Sequence, residues 1–233
     1  MQLPEPLHRW DVRGEDAVEL QKSLRRRLKH IPLPSDVKLV GGADMALSKK
    51  HGLFFAAFTV LALPELEVVE VQKATVESSY PYVPGLLSFR EGPAVINAYK
   101  KLNNPPDVVI FDGQGIAHPR GLGLAAHMGL FLNIPTIGCA KSRLWGEYKE
   151  PGIEKGDWEP LQKDGRMLGA VLRSRRKVKP IFVSPGHLCD VGGARELTLR
   201  CAVRYRLPEP VREAHRRVSE MKRDFIAEKD KIR

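Results

Sequence analysis

The chain has 233 residues, a formal net charge of +10 and 42% hydrophobic residues, so it can bury one full core, and we expect a single domain over residues 1–233 with its core at about 36–205. Three cysteines without the spacing of metal ligands exclude a disulfide framework and a zinc site. The lack of a long apolar run excludes a membrane span. We therefore expect a cytoplasmic protein without membrane contact, and by default a monomer. The excess of positive charge favours a polyanionic partner, because clustered Lys and Arg release counterions from phosphates; a solvated basic surface is the alternative.

The segments before residue 77 predict one amphipathic helix followed by three strands. Apolar residues recur at helical spacing among Arg and Lys in the first segment, and the later segments are apolar and rich in β-formers. Since only short breaks separate the strands, they should pair as antiparallel neighbours. The predicted helix spans residues 14–30 and is ended by Pro32 and Pro34, and the predicted strands span residues 38–47, 53–63 and 66–71.

Asp44 lies among small and apolar residues of the first predicted strand, after Gly41 and Gly42. The two glycines mark a bulge or the close approach of another backbone segment. An unpaired buried carboxylate is costly, or else it shifts its own protonation. We therefore expect a hydrogen-bond donor or a metal ion near Asp44.

A rigid loop and a second helix are predicted at residues 78–102. Two prolines and Gly85 stiffen a loop that presents Tyr82. An aromatic residue on a rigid loop suits insertion between stacked bases, and an aromatic residue packed on the edge of the core is the alternative. The helix is predicted to begin at Arg90, which places Glu91 in its first turn, where the helix dipole favours an anion.

A short apolar run at residues 108–111 follows a proline-rich break and predicts a buried central strand. Asp112 ends this strand, and the turn GQG follows it. Ligands usually bind at the ends of strands in an open α/β sheet, although Asp112 as a simple turn cap is the alternative.

A helix predicted at residues 122–132 and a strand predicted at residues 134–140 continue this segment as a βαβ unit. The two strands of such a unit are parallel, so their carboxyl ends meet at one edge of the sheet. Asp112 and Lys141, which lie at the ends of these strands, should therefore be close together.

The C-terminal third places His215 between arginines on the last predicted helix, where a histidine is usually a surface residue. The predictions for this third are an exposed polar excursion at residues 145–165, a hairpin of residues 167–172 and 180–183, a helix ending near residue 203 and a last helix at residues 211–226. All elements together predict an α/β fold whose mixed central sheet, three antiparallel strands and then parallel ones, is flanked by helices.

Three carboxylates, Asp44, Glu91 and Asp112, come from separate predicted elements. Hard oxygen ligands suit Mg²⁺ or Mn²⁺, which can hold a scissile phosphate and activate water, and Lys141 could offset charge on the phosphate. The motifs G-x-S-x-G and G-x-x-x-x-G-K-[ST] do not occur, which disfavours a serine hydrolase and a nucleotide kinase. The residues alone therefore predict a basic, metal-dependent nuclease.

The sequence also resembles the endonuclease V family. The likeness covers nearly the whole chain in the family's order, with Ala43 where Val is common and Val83 in place of Ile. It implies a ribonuclease H-like fold, a Mg²⁺ cofactor that Mn²⁺ can replace, and hydrolysis of the second phosphodiester bond 3′ to deoxyinosine, leaving 3′-OH and 5′-phosphate. The segments are GGAD at 41–44, PYVPGLLSFREGP at 81–93, FDGQGIAHPRGLGLAAHMGL at 111–130, GCAKSRL at 138–144 and VSPGH at 183–187.

The resemblance implies a set of catalytic residues. Asp44 and Asp112 resemble the family's direct metal ligands, and Glu91 would complete the acidic cluster. Lys141 resembles the active-site lysine, and His215 resembles the C-terminal histidine, which would bind a second metal or the water.

The resemblance also implies a wedge and a pocket for hypoxanthine. Tyr82 matches the wedge, which would fill the gap left by the flipped base. Small residues suit the pocket because backbone amides can then read the O6 and N7 atoms of the base, and the amino group of adenine would face the same donors. The implied substrate-binding residues are Tyr82, Val83, Pro84, Gly85, Leu87, Gly113, Gly115, His118, Gly123 and Leu144.

The expected partner is DNA containing deoxyinosine. One alternative is an inosine-directed ribonuclease, since contacts to the 2′-OH are not visible in a sequence. The other is a catalytically silent nucleic-acid-binding protein of the same fold. The presence of all three acids and Lys141 argues against the silent protein, which has no electrostatic reason to keep like charges together.

Overall fold

The computed structural model describes residues 5–77 and 80–231. Ser78 and Ser79, with which the predicted loop begins, lie outside the described residues. In chain order the elements are α1 (Gly14–Arg25), β1 (Leu39–Ser48), a 3₁₀ turn (Lys49–His51), β2 (Leu53–Ala62), β3 (Glu67–Glu77), α2 (Leu87–Tyr99), β4 (Val108–Asp112), α3 (Leu124–Leu132), β5 (Thr136–Ala140), β6 (Trp158–Lys163), β7 (Arg166–Leu172), β8 (Ile181–Pro185), α4 (Val191–Cys201) and α5 (Glu209–Lys231).

The described strands form an eight-stranded sheet in the order β3-β2-β1-β4-β5-β8-β7-β6. Strands β1, β2 and β3 pair antiparallel, whereas β4 pairs parallel with both β1 and β5. This arrangement confirms the predicted mixed α/β sheet. Beyond β5 the sheet is antiparallel again, through β8, β7 and β6.

Strand β4 lies at the centre of the sheet and is buried on both faces. Val109 and Phe111 pack in a cluster with residues of α2 and α3. Val108 and Ile110 pack on the opposite face, in a cluster with residues of α4 and the start of α5. Because helices cover both faces, the strand is apolar at successive positions instead of alternating.

Helix α5 crosses β1 at Gly42. A Cβ atom at Gly42 would lie 2.0 Å from the carbonyl oxygen of Pro210. The same oxygen accepts a hydrogen bond of 3.1 Å from the hydroxyl of Thr59. The pairing of β1 with β2 is regular, so Gly42 marks a close backbone approach and not a bulge. The contact fixes the start of α5, little more than one turn before His215.

Two predicted helix boundaries are wrong. Helix α1 ends at Arg25 and not at residue 30, because residues 26–28 form i→i−3 hydrogen bonds and the chain then bonds to residues 187 and 188. Helix α2 begins at Leu87, three residues earlier than predicted, because burial of neighbouring apolar side chains holds its start. Glu91 is therefore outside the first turn of α2, and the helix dipole does not explain its position.

The predicted excursion at residues 145–165 is also wrong in part, because it contains β6. This strand pairs antiparallel with β7, and Leu161 is buried against Val171 and Phe182. The strand lies at the edge of the sheet and is largely open to solvent, so its sequence is mostly polar. A hydrophobic pattern as short as this one does not distinguish an edge strand from a loop.

No helix in the described part of the chain is long and apolar enough to cross a membrane. The three cysteine side chains are buried as free thiols.

Replacing Gly42 with Ala should destabilise the protein, because the added methyl group collides with the backbone of Pro210. Overpacking of this kind costs about 1–3 kcal/mol, which lowers the midpoint of thermal unfolding by about 2–12 °C in a protein of this size. The matched control is Gly192→Ala in α4, where the nearest atom to the new Cβ is 3.7 Å away. Thermal unfolding of both variants checks this, and a Gly42→Ala protein as stable as the wild type would contradict it.

Candidate active site

Asp44 and Asp112 lie side by side at one edge of the sheet. Strands β1 and β4 are parallel neighbours in a register that pairs Ala43 with Phe111, and each aspartate is the next residue of its strand. The pKa of Asp44 is raised, and burial is the largest cause. A hydrogen bond from His215 opposes this rise, and the charge of Asp112 adds to it.

Glu91 approaches the same edge from the second turn of α2. Burial raises the pKa of Glu91 to about 8, and the charges of Asp44 and Asp112 contribute in the same direction, against that of Arg90. The structure therefore brings the three sequence-predicted carboxylates within electrostatic reach of one another.

His215 is the hydrogen-bond donor expected near Asp44. Its Nδ1 donates to Oδ2 of Asp44 at 2.7 Å, and the backbone N–H of Met45 donates to Oδ1 of Asp44 at 2.8 Å. The His215 side chain is 60% exposed and that of Asp44 only 12%. The imidazole thus bonds to the buried carboxylate through one nitrogen and keeps the rest of its ring accessible.

Lys141 lies directly after β5 and forms an ion pair with Asp112. Its Nζ donates to Oδ2 of Asp112 at 2.8 Å, which confirms that the ends of β4 and β5 meet. Burial disfavours the ammonium group, but the hydrogen bond with Asp112 and the nearby charges of Asp112 and Asp44 outweigh burial and raise the pKa of Lys141. A lysine held in this way stays charged at neutral pH.

A cavity of about 270 Å³ opens beside Asp112, between the loop before α2 and the loops after β4 and β5. All of the implied substrate-binding residues except Gly115 line it. Its lining consists of Tyr82, Val83, Pro84, Gly85, Leu87, Ser88, Asp112, Gly113, Gln114, His118, Leu122, Gly123, Leu124, Ala140, Ser142, Arg143 and Leu144.

Comparison with known proteins agrees with this geometry. The family model described as Endonuclease V matches residues 20–216. The chain belongs to the endonuclease V family. An endonuclease V from Methanothrix thermoacetophila is 47% identical to it over 209 residues, which are 90% of this chain and 92% of that protein.

Solved structures of endonuclease V have the same fold. The Bacillus subtilis protein superposes with a TM-score of 0.93 and 33% identity, covering 98% of this chain and 100% of that one. A Ciona intestinalis endonuclease V, in complex with a 24mer DNA containing an inosine followed by a ribo-adenosine, superposes with a TM-score of 0.79 and 30% identity over 89% of this chain and 96% of that one. Membership of this family makes the protein a nuclease.

The family implies a divalent metal ion, and the chemistry of the carboxylates fits one. The charge of Asp112 raises the pKa of Asp44, and the charges of Asp44 and Asp112 raise the pKa of Glu91; a cation between these carboxylates would relieve this effect. Within the described residues, no three His, Cys, Asp or Glu side chains stand in an arrangement that could hold a metal as they are. Asp44 and Asp112 instead bond to His215 and Lys141. A divalent ion such as Mg²⁺ commonly takes only one or two protein carboxylates and completes its shell with water and phosphate, so this donor set fits an ion of that kind.

Gly115 serves the packing of the fold and does not line the cavity beside Asp112. A Cβ atom at Gly115 would lie 2.1 Å from the carbonyl oxygen of Pro185. Its N–H donates to the hydroxyl of Ser184 at 2.8 Å. The loop after β4 therefore rests on β8 at Gly115 and turns Gly113 and Gly123 toward the cavity.

Two residues that the sequence reasoning missed hold the loop that carries Tyr82. The carbonyl oxygen of Gly85 accepts hydrogen bonds from Nη2 of Arg120 at 2.6 Å and from Nε2 of Gln21 at 2.9 Å. The Nε of Arg120 also donates to Gln21. Gly85 has a φ of +79°, and a Cβ atom there would collide with Arg120. Arg120 belongs to a recognised motif and could have been found, whereas Gln21 carries no local signal.

His118 and Tyr82 both line the cavity, but His118 is buried and Tyr82 is exposed. Burial lowers the pKa of His118 to about 4, with the charge of Arg120 adding and a hydrogen bond to Gly85 opposing, so the ring is neutral at physiological pH. The N–H of Arg120 donates to its Nδ1 at 3.2 Å. Tyr82, in contrast, is 68% exposed, and the guanidinium of Arg90 lies 5.7 Å from the centroid of its ring.

The raised pKa of Glu91 predicts how stability depends on pH in the metal-free protein. Between the ordinary pKa of 4.5 and the folded value of about 8, the folded state keeps a proton that the unfolded state releases, so stability falls as the pH rises through this range. Glu91→Gln should remove this part of the dependence. Thermal unfolding between pH 5 and pH 9 in chelator measures it, and added Mg²⁺ should stabilise the wild type more at high pH. Parallel curves for the two proteins would contradict the assignment.

Proposed function

We propose that this protein recognises deoxyinosine in DNA and hydrolyses the second phosphodiester bond on its 3′ side. The observation that carries the proposal is a cavity large enough for a purine, lined by Asp112, which belongs to the carboxylate cluster. The Ciona relative that binds inosine-containing DNA supports the choice of base. A basic chain with a net charge of +10 suits a DNA partner.

The cavity receives the flipped hypoxanthine, and Tyr82 takes its place in the stack. A flipped base leaves a gap in the duplex, and an exposed aromatic ring on a braced loop can fill it. The bonds from Arg120 and Gln21 to Gly85 keep that loop from relaxing. Backbone amides of the small residues on the wall then approach the edge of the base.

The carboxylate cluster carries out the hydrolysis. Asp44, Asp112 and Glu91 would hold Mg²⁺ or Mn²⁺, which when bound activates water and offsets charge on the phosphate. Lys141 contributes a fixed positive charge beside Asp112, where the scissile phosphate is placed. Water attacks the phosphorus and the bond to the 3′ oxygen breaks, which leaves a 3′-OH and a 5′-phosphate.

His215 orients Asp44 and handles a proton. Because its Nδ1 donates to Asp44, its Nε2 is free to accept a proton from the attacking water. The exposure of the ring gives that nitrogen access to the solvent side of the site.

Cleavage of an end-labelled duplex with one deoxyinosine tests the proposed reaction. With Mg²⁺ we expect a nick one nucleotide beyond the inosine on its 3′ side, and no nick with chelator. Asp112→Ala should lower the rate by at least roughly 100-fold, since it removes a ligand and the partner of Lys141. The matched control is Asp230→Ala, an exposed acid that pairs with Lys50 at 3.0 Å.

Each other outcome of this assay favours a different function. Binding of the inosine duplex without a nick would favour a silent binding protein. Preferential cleavage of inosine-containing RNA would favour a ribonuclease. Equal nicking of an inosine-free duplex would contradict the proposed base pocket.

Tyr82→Ala should weaken discrimination between inosine-containing and normal duplex more than it slows the chemistry on bound substrate. Loss of a stacked ring typically costs about 1–3 kcal/mol per base, or roughly 5- to 150-fold in selectivity. Tyr82→Phe keeps the ring and should keep the selectivity, and Tyr148→Ala removes a tyrosine outside the cavity as a control. Single-turnover rates and binding constants on both duplexes separate the two effects. Unchanged selectivity in Tyr82→Ala would show that the ring is only structural.

A further inference from the structure

Ser88 and Gln114 line the base cavity, and neither belongs to the implied substrate-binding set. Hydrogen bonds behind the cavity wall restrict both side chains to accepting hydrogen bonds from a ligand. We propose that these two acceptors read the N1–H of hypoxanthine and so discriminate against bases with a bare N1. The proposal rests on the proposed function and adds to it a contact that requires a hydrogen-bond donor on the base.

A chain of hydrogen bonds runs from His8 through His127 to Ser88, and the proton positions along it are set at His8. The Nδ1 of His8 lies 2.7 Å from the carbonyl oxygen of Arg9. A carbonyl oxygen only accepts, so Nδ1 of His8 carries the hydrogen. Burial lowers the pKa of His8, although the bond to Arg9 opposes this, and the ring is neutral. Its Nε2 therefore has only a lone pair.

His127 must donate to that lone pair. The Nε2 atoms of His8 and His127 are 2.7 Å apart, so the hydrogen between them belongs to His127. His127 is fully buried, and burial together with the proximity of His8 keeps its pKa well below the usual range. Its ring is therefore neutral as well, and its Nδ1 is an acceptor.

The hydroxyl hydrogen of Ser88 is consequently committed to His127. The Oγ of Ser88 lies 2.7 Å from Nδ1 of His127, and only the serine can supply the hydrogen. Toward any other group the oxygen offers lone pairs alone. Ser88 is buried between His127 and the cavity, so a base in the cavity is the available donor.

The side chain of Gln114 is also restricted to accepting a hydrogen bond from a ligand, but through a different contact. Its Nε2 donates to the carbonyl oxygen of Ser142 at 3.1 Å, which fixes the orientation of the amide. Its Oε1 is buried and has no hydrogen-bond partner within the described residues, and the whole side chain is 8% exposed. A buried acceptor without a donor is unfavourable, and a ligand N–H would satisfy it.

The two acceptors on the wall would share the single N1–H of hypoxanthine. Its N1 carries a hydrogen, whereas N1 of adenine carries a lone pair that would face the lone pairs of Ser88 and Gln114. An enzyme that reads a flipped base does so through this edge. Rejection of adenine thus has a side-chain component in addition to the backbone amides.

The experiment compares duplexes that contain deoxyinosine or purine deoxyriboside (nebularine), which has a bare N1 and no O6. The wild type should prefer inosine. Ser88→Ala and Gln114→Met should each reduce this preference, and the double variant should reduce it roughly tenfold. The matched control is Ser48→Ala, which removes another buried serine–histidine bond, 3.0 Å long and outside the cavity. A wild-type preference in the double variant would overturn the proposal.

His8→Phe tests the proton arrangement from a distance. It removes the acceptor for Nε2–H of His127 and favours the other tautomer, whose Nδ1–H would donate to Ser88 and free the serine hydrogen. Cleavage of nebularine should then rise relative to inosine, which a merely structural role of His8 would not produce. A fall in both rates by the same factor would overturn the role of His8 and His127 as positioning residues.

Measuring the base preference in two ways keeps this proposal separate from the proposed function. Binding of both duplexes in chelator reports the acceptors without the chemistry. If wild-type protein binds inosine duplex preferentially but does not cut it, the proposed reaction fails and the acceptors are still tested. If it cuts inosine duplex and the double variant binds and cuts with the same preference, only the acceptor proposal fails.

Discussion

Repulsion among three carboxylates near the carboxyl ends of the central strands is the constraint on which the arrangement of the other site residues depends. Asp44 and Asp112 are adjacent because β1 and β4 are parallel and in register, and Glu91 approaches them from α2. Separate elements supply the compensating groups: Lys141 after β5 and His215 on α5. In the metal-free protein burial raises the pKa of Glu91 most, and the charges of Asp44 and Asp112 add to this rise, so a divalent cation would relieve an unfavourable state and its binding would be coupled to the protonation of the site.

The close contact of α5 with β1 links the fold to this chemistry. His215 reaches Asp44 only because the helix starts directly on the backbone at Gly42. A side chain at that position would displace the first turn of α5 and with it the donor to Asp44. The loop after β4 is held in a comparable way, since Gly115 rests on β8 and leaves Gly113 and Gly123 lining the cavity. In both cases a glycine that is not itself a member of the carboxylate cluster sets the position of a functional group.

The local sequence pattern was sufficient to predict the features that depend on residues close together in the sequence. The apolar run before Asp112 gave the central strand, and the βαβ order gave the contact between Asp112 and Lys141. It failed at β6, whose short and mostly polar pattern does not distinguish an edge strand from a loop, and at the early start of α2, which depends on burial against residues distant in the sequence. The path from His8 to Ser88 was invisible for the same reason, because its central hydrogen bond joins residues 119 positions apart.

Under the proposed function, base recognition and bond cleavage share one loop. Asp112 ends β4 in the carboxylate cluster, and it also lines the cavity together with Gly113 and Gln114, the residues that follow it. A base whose edge does not satisfy the cavity wall cannot seat fully, and the phosphate beyond it is then displaced from Asp112 and Lys141. Small displacements of reacting groups cost large factors in rate. Discrimination against a wrong base is therefore expressed in the chemical step as well as in binding, because the energy of seating the base is used to position the phosphate.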